Sequence, residues 1–212
     1  MKVLSIGSDK NLFVEGSTVA ERIKEHGAFV EELHIIVLAL RNLGLKEKKL
    51  AENVWVYPTN SISRWLCTGA GARLGEKLVY ERKFAREQSL ITTQDPFECG
   101  WAGLKIKKKW HLPLETQMHI DPLFSEGYDA FLDRVRRIIA GKVITSANSI
   151  RVVASFMKER LQKRFDFSDK HIYVLPVYID KGKIENSRIN FDVHARFGWR
   201  FAILTVARLT PQ

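Results

Sequence analysis

His119 and Asp121 close the stretch ETQMHIDP, where a short alternating segment runs into Pro122. Imidazole can donate a hydrogen bond to a hydroxyl or carbonyl, and it tolerates partial burial when its other nitrogen is paired. Asp121 can start the turn before the proline or face a ligand hydroxyl, and its residue type allows both. Three other β-rich runs end in the same way: Gly7 and Ser8 follow KVLSI, Gln94 and Asp95 follow SLITT, and Ser146 with Asn148 follow KVIT. Amides, hydroxyls and carboxylates repeated at strand ends are the groups that bind polar, hydroxyl-bearing ligands. No aspartate pair with DxD spacing is present, and Cys67 and Cys99 form neither a CxxC or other metal spacing nor a disulfide framework, which agrees with a reducing compartment.

Such residues need elements that carry them to one edge. Short runs rich in β-branched residues alternate with amphipathic stretches: KVLSIG, a helix from about Ser17, LHIIVLAL, NVWVYP, a helix near Trp65 to Arg86, SLITTQ, and a helix near Glu98 to Trp110. LETQMHI, a helix near Tyr128 to Ala140, KVITSA, a helix near Ser149 to Phe165, and HIYVLP complete the alternation. This order predicts an α/β fold, a doubly wound and mostly parallel sheet with helices on both faces. Ligands of such a sheet gather beyond the carboxyl ends of the strands. Phe131, Val135, Ile138 and Ile139 are expected to share one buried face, as are Val153, Met157, Leu161 and Phe165. Trp65, Trp101 and Trp110 lie on amphipathic helices, where packing is the simple explanation for them.

With 212 residues, 45% hydrophobic and 27% charged, the chain can fill one ample core, and it lacks a signal peptide or a membrane-spanning run. It reads as cytoplasmic. Its 34 Lys+Arg against 24 Asp+Glu give +10, a balance that favours polyanionic partners. From Arg134 to Arg164 there are nine basic residues and one acidic residue. After Pro176 the chain turns polar and irregular, and RFAILTVARL then begins a new apolar strand. The expected organisation is residues 1–176 as a domain, 177–199 as a linker and 200–212 as the first strand of a second, truncated domain.

LFVEGSTVAERIKEHG, ITTQDPFECGWAGLKIKKKWHLPLETQMHID, RRIIAGKVITSANSIRVV, IYVLPVYID and ILTVARLTP occur in the order of a known family. The chain resembles the amino-terminal half of the group 1 (family 4) retaining glycosyltransferases, in which two Rossmann-like domains face each other across a cleft (the GT-B arrangement). The resemblance implies that His119 contacts the donor sugar at the reacting centre and is the catalytic position. It implies that Gly16 and Ser17 are what remains of the family's glycine-bearing loop, whose usual adjacent glycine pair is absent here. It further makes Gln94, Asp95, Asp121, Ser146 and Asn148 candidate substrate contacts, and Arg208 the first cation of the donor diphosphate site.

The resemblance thus implies a fragment of an enzyme that moves a sugar from a nucleotide-diphosphate donor to a carbohydrate or lipid-linked acceptor with retention, without an obligatory metal or other cofactor, as the missing DxD spacing also suits, and inactive as this chain alone. It also implies an anionic membrane surface as partner, with a peripheral position at its inner face and docking through the basic segments Lys105 to Lys109 and Arg134 to Arg164. A sugar-nucleotide epimerase of the same two-domain arrangement and a basic, non-catalytic nucleic-acid module are the alternatives. The donor sugar, nucleotide and acceptor are not legible in the sequence.

Overall fold

The computed structural model describes residues 1 to 119, 131 to 165, 167, 171 to 177, 181 to 186, 192 to 201 and 203. Expectations for Asp121, Arg208 and nearly all of residues 200–212 lie outside these. The chain divides into two compact units, Met1–Pro176 and Val177–Gln212.

The first unit runs β1 (Lys2–Gly7), α1 (Thr18–Gly27), β2 (Glu32–Val37), β3 (Lys48–Ala51), β4 (Val54–Pro58), α2 (Arg64–Glu81), β5 (Ser89–Thr93), α3 (Glu98–Trp110), β6 (Leu114–Met118), α4 (Phe131–Ser146), β7 (Ser149–Val152), α5 (Ser155–Phe165) and β8 (Ile172–Val174). Its eight strands lie in the order β3-β4-β2-β1-β5-β6-β7-β8. All neighbours pair in parallel except β3, which runs antiparallel to β4. From β1 the chain first adds β2 and β4 on one side, then returns to lay β5 to β8 on the other. The order therefore reverses between β1 and β5, where adjacent loops diverge and leave a crevice.

Register sorts the side chains between the two faces. Leu4, Ile6, Ile36, Ile91 and Leu114 pack with α2, α3 and α4, and Ile150, Val152 and Ile172 continue that face with Met157 and Leu161 of α5. The opposite face carries Val3, Leu33, Ile35, Val37, Val54 and Val56 under Val19 and Ile23 of α1. Helices do cover both faces, but unequally: among the described residues only α1 lies on the second. Beyond α1 that face becomes polar. Thr92 donates to Glu115 at 3.0 Å, Gln117 donates to Thr92 at 3.1 Å, Arg151 donates to Gln117 at 3.3 Å, and the Tyr173 hydroxyl donates to Glu115.

One stretch corrects the sequence reading. KVITS is the last turn of α4, and the strand is SIRV, which was expected to open a helix. The misreading also displaced the buried stripe of α4: Val135 and Ile138 are exposed, while Ala140, Val143 and Ile144 are fully buried. The β-branched run was β-like in propensity, but its positions match the helical repeat that meets the sheet. The short edge strand β3, KKLA, was not anticipated. The second unit contains α6 (Lys181–Glu185) and α7 (Val193–Phe197), the latter capped by Asp192, where an irregular linker was expected.

Candidate functional site

A cleft of ≈ 580 Å³ opens beyond the carboxyl ends of β1, β2 and β5, at the point where strand order reverses. Ser8 and Lys10 enter it from the loop after β1, Leu38, Ala39 and Leu40 from that after β2, and Arg64 and Cys67 from the first turns of α2. Asp95, Glu98 and Cys99 come from the start of α3 and Arg136 from α4.

Local sequence explains most of these placements. Asp95 is the second residue after β5, and its Oδ1 accepts from the backbone N–H of Phe97 at 2.8 Å and of Cys99 at 3.2 Å, which caps α3. Gln94 turns back over the β1 loop, where its Oε1 accepts from the Ser8 N–H at 3.1 Å. Gly7 is required for this approach, because a Cβ there would collide with the Gln94 carboxamide. Glu98 pairs with Arg136 at 3.1 Å, and that guanidinium also lies 4.5 Å from the centre of the Phe97 ring. Lys10 and Arg64 have no hydrogen-bond or ion-pair partner among the described residues. Burial pushes the Cys99 thiol well up, with Asp95 adding to the effect, so this cysteine is protonated packing rather than a nucleophile.

His119 stands just past β6, exposed, beside the cleft rather than in its wall. Loss of hydration lowers its pKa first; the Arg151 cation lowers it further, and Asp95 pulls partly the other way. The ring is therefore neutral near pH 7. A neutral imidazole can donate at one nitrogen and accept at the other, which suits a sugar hydroxyl. Asp95 links the two places, since it lines the cleft and also acts on His119.

Other expected positions fall elsewhere. Ser146 and Asn148 precede β7 instead of following a strand, so they lie at the amino-terminal edge of the sheet: the Ser146 carbonyl accepts from Lys107 at 2.7 Å, and Asn148 Oδ1 accepts from the Leu114 N–H at 3.0 Å. Gly16 is a turn residue with φ 68°, and Ser17 caps α1 by accepting from the Ala20 N–H at 3.1 Å. Neither lines the cleft. Lys10, Arg64 and Arg136 were missed. The strand-end rule applied to β4 would have reached Arg64, but its distance in sequence from Ser8 and Asp95 concealed the grouping.

No family model and no curated protein matches the chain. Solved structures do share its fold. The lipopolysaccharide outer core galactosyltransferase WaaB is 15% identical with a TM-score of 0.56, covering 84% of this chain and 46% of its own. UDP-GlcNAc 2-epimerase from Methanocaldococcus jannaschii is 14% identical with a TM-score of 0.51, covering 82% and 45%. The epimerase from Neisseria meningitidis bound to UDP-GlcNAc is 12% identical with a TM-score of 0.54, covering 82% and 45%. The chain spans less than half the length of these proteins. It has the fold of one domain of the two-domain GT-B arrangement.

Proposed function

We propose that this chain is the acceptor-side wall of an enzyme that transfers a sugar from a nucleotide-diphosphate donor to an acceptor with retention. The observation that carries this reading is the cleft at the sheet's reversal point, lined by Lys10 and Arg64, which have no partner among the described residues, and by Asp95, with His119 at the next strand end. His119 would hold a hydroxyl of the donor sugar, and the cleft would hold the acceptor. Negative charge building on the departing diphosphate needs preorganised cations and helix N-termini; Arg208 is the residue that the sequence offers for this. A single wall leaves the donor hydrated and unoriented, so the chain alone is expected to be inactive.

The test fuses the chain to the nucleotide-binding half of the outer-core galactosyltransferase and supplies a panel of nucleotide sugars and acceptors. The expected product is a glycoside that keeps the donor's anomeric configuration, with none from the chain alone. His119→Ala should raise the barrier of the fusion by roughly 2 to 4 kcal/mol while leaving it folded. The epimerase relatives favour a second reading. A C2-inverted sugar nucleotide formed without acceptor would establish that reading and overturn transfer.

A further inference from the structure

Trp65, which the sequence reading assigned to packing, is 77% exposed. Ile62 is 82% exposed, Tyr80 73% and Leu66 52%, all on α2 or just before it. Large apolar side chains gathered on one element mark a surface that another molecule covers. Leu66, Gly69, Arg73, Glu76 and Tyr80 follow one another at steps of three and four residues, the repeat of a seam along which one helix meets another. Trp65 and Lys77 flank that seam, and together these residues fall within an arc of about 120°. The opposite side of α2, with Gly71, Gly75 and Leu78, is buried in the fold. Gly69 leaves the middle of the seam open, since a Cβ there would meet nothing within 4 Å.

The charges on this face select its partner. Arg73 has no hydrogen-bond or ion-pair partner among the described residues, Glu76 pairs with Lys109 at 2.6 Å, and Lys77 lies 3.8 Å from Glu81. The carboxylates repel an anionic bilayer or a nucleic acid, and the cations would be stranded against a wholly apolar partner. The face does carry its own complement. When α2 is laid antiparallel on a second α2, with a two-fold axis across the middle of the helix, Ile62 of each copy meets the ring of Tyr80, which leans on Trp110 at 6.3 Å. Trp65 then lies under the Lys77 ammonium, Leu66 lies along the methylene stem of Glu76, and Gly69 gives room to the Arg73 guanidinium. An ammonium over an indole face is attracted by the ring.

We propose that the exposed face of α2 is the contact between two copies of this chain, paired antiparallel about a two-fold axis with Trp65 of each copy against Lys77 of the other. The contact is one helix wide, so the dimer is weak and forms as concentration rises. It does not depend on what the cleft binds.

The test is sedimentation equilibrium of the intact chain across a wide range of concentration. A monomer–dimer equilibrium is expected, with no larger species, because a two-fold contact closes on itself. Trp65→Ser should weaken the dimer about tenfold or more, and Lys77→Glu roughly threefold. Phe29→Ser, which removes an equally exposed apolar side chain away from α2, should leave it unchanged, and a thermal melt of each variant checks folding. Each dimer holds the Trp65–Lys77 contact twice. An equal mixture of the Trp65→Ser and Lys77→Glu chains should therefore associate more tightly than either variant alone, because only the mixed dimer keeps one intact contact. A mixture no tighter than its parts overturns the two-fold arrangement. A chain that stays monomeric, or a dimer that Trp65→Ser and Lys77→Glu leave unchanged, overturns the proposal. So does a monomer that Trp65 holds to phospholipid vesicles or to an oligonucleotide.

Discussion

At the scale of single residues, two histidines with lowered pKa values do different work. His34 is completely buried, stacked 4.7 Å from Trp55, and bonded at both ring nitrogens: Nε2–H donates to Glu32 at 2.8 Å and Nδ1 accepts from the Tyr57 hydroxyl at 3.0 Å. Burial pushes its pKa down against the pull of Glu32, and burial pushes the Tyr57 phenol up to about 12. The Glu–His–Tyr sequence of contacts resembles a catalytic relay, but its histidine and tyrosine are buried and only Glu32 reaches the surface, so it is a strut. Its consequence is pH-dependent stability. The unfolded chain binds a proton near pH 6.5 that the folded ring refuses, so stability is complete above that value and falls as pH drops below it. Denaturant melts should lose on the order of 1 kcal/mol per pH unit just below that point, and His34→Phe should flatten the slope. A wild-type slope of zero would remove the strut. His119 is exposed, and its depression comes from lost hydration and Arg151. In a proton-NMR titration Arg151→Met should raise its pKa and Asp95→Asn should lower it further. Shifts of the opposite sign would mean that these charges do not face the ring.

At the scale of elements, α3 shows how one residue fixes both a helix and a site. Asp95→Ala removes the acceptor of two backbone N–H groups and should cost about 1 kcal/mol. Asp95→Asn should recover most of that loss, because the amide oxygen still caps. If both variants lose equally in urea melts, the carboxylate's charge and not its capping geometry holds α3. The same helix was legible from sequence, since an acidic first turn, an apolar repeat and a lysine-rich last turn agree with one another. α4 and β7 were not, because Val143, Ile144 and Thr145 carry strand propensity while their spacing from Ala140 serves a helix face. Only tertiary packing against Ile150 and Met118 resolves that conflict. Misplacing this boundary by half an element sent Ser146 and Asn148 to the wrong end of the sheet. His119 and Asp95 were legible because each lies within two residues of its strand's end; the cleft cations were not, because they arrive from three separated loops and helices.

At the scale of the molecule, the sheet order makes the site. Strands laid outward in both directions from the β1–β5 junction leave one crevice, and every residue that lines it follows a strand or opens a helix, apart from Arg136 inside α4. That crevice belongs wholly to Met1–Pro176. Among the described residues every member of the three buried clusters lies within this unit: the strand β8 is paired to β7 from Ile172 to Val174, and the Leu175 N–H donates to the Val152 carbonyl at 2.8 Å. No described hydrogen bond between residues of the sheet needs an atom after Pro176. A chain ending at Pro176 should therefore fold with an unchanged melting midpoint and keep the pH slope to which His34 contributes. The measurement is a pair of melts on the two lengths. A midpoint lowered by several degrees, which for a domain of this size means about 1 kcal/mol or more, would show that residues beyond Pro176 brace the sheet.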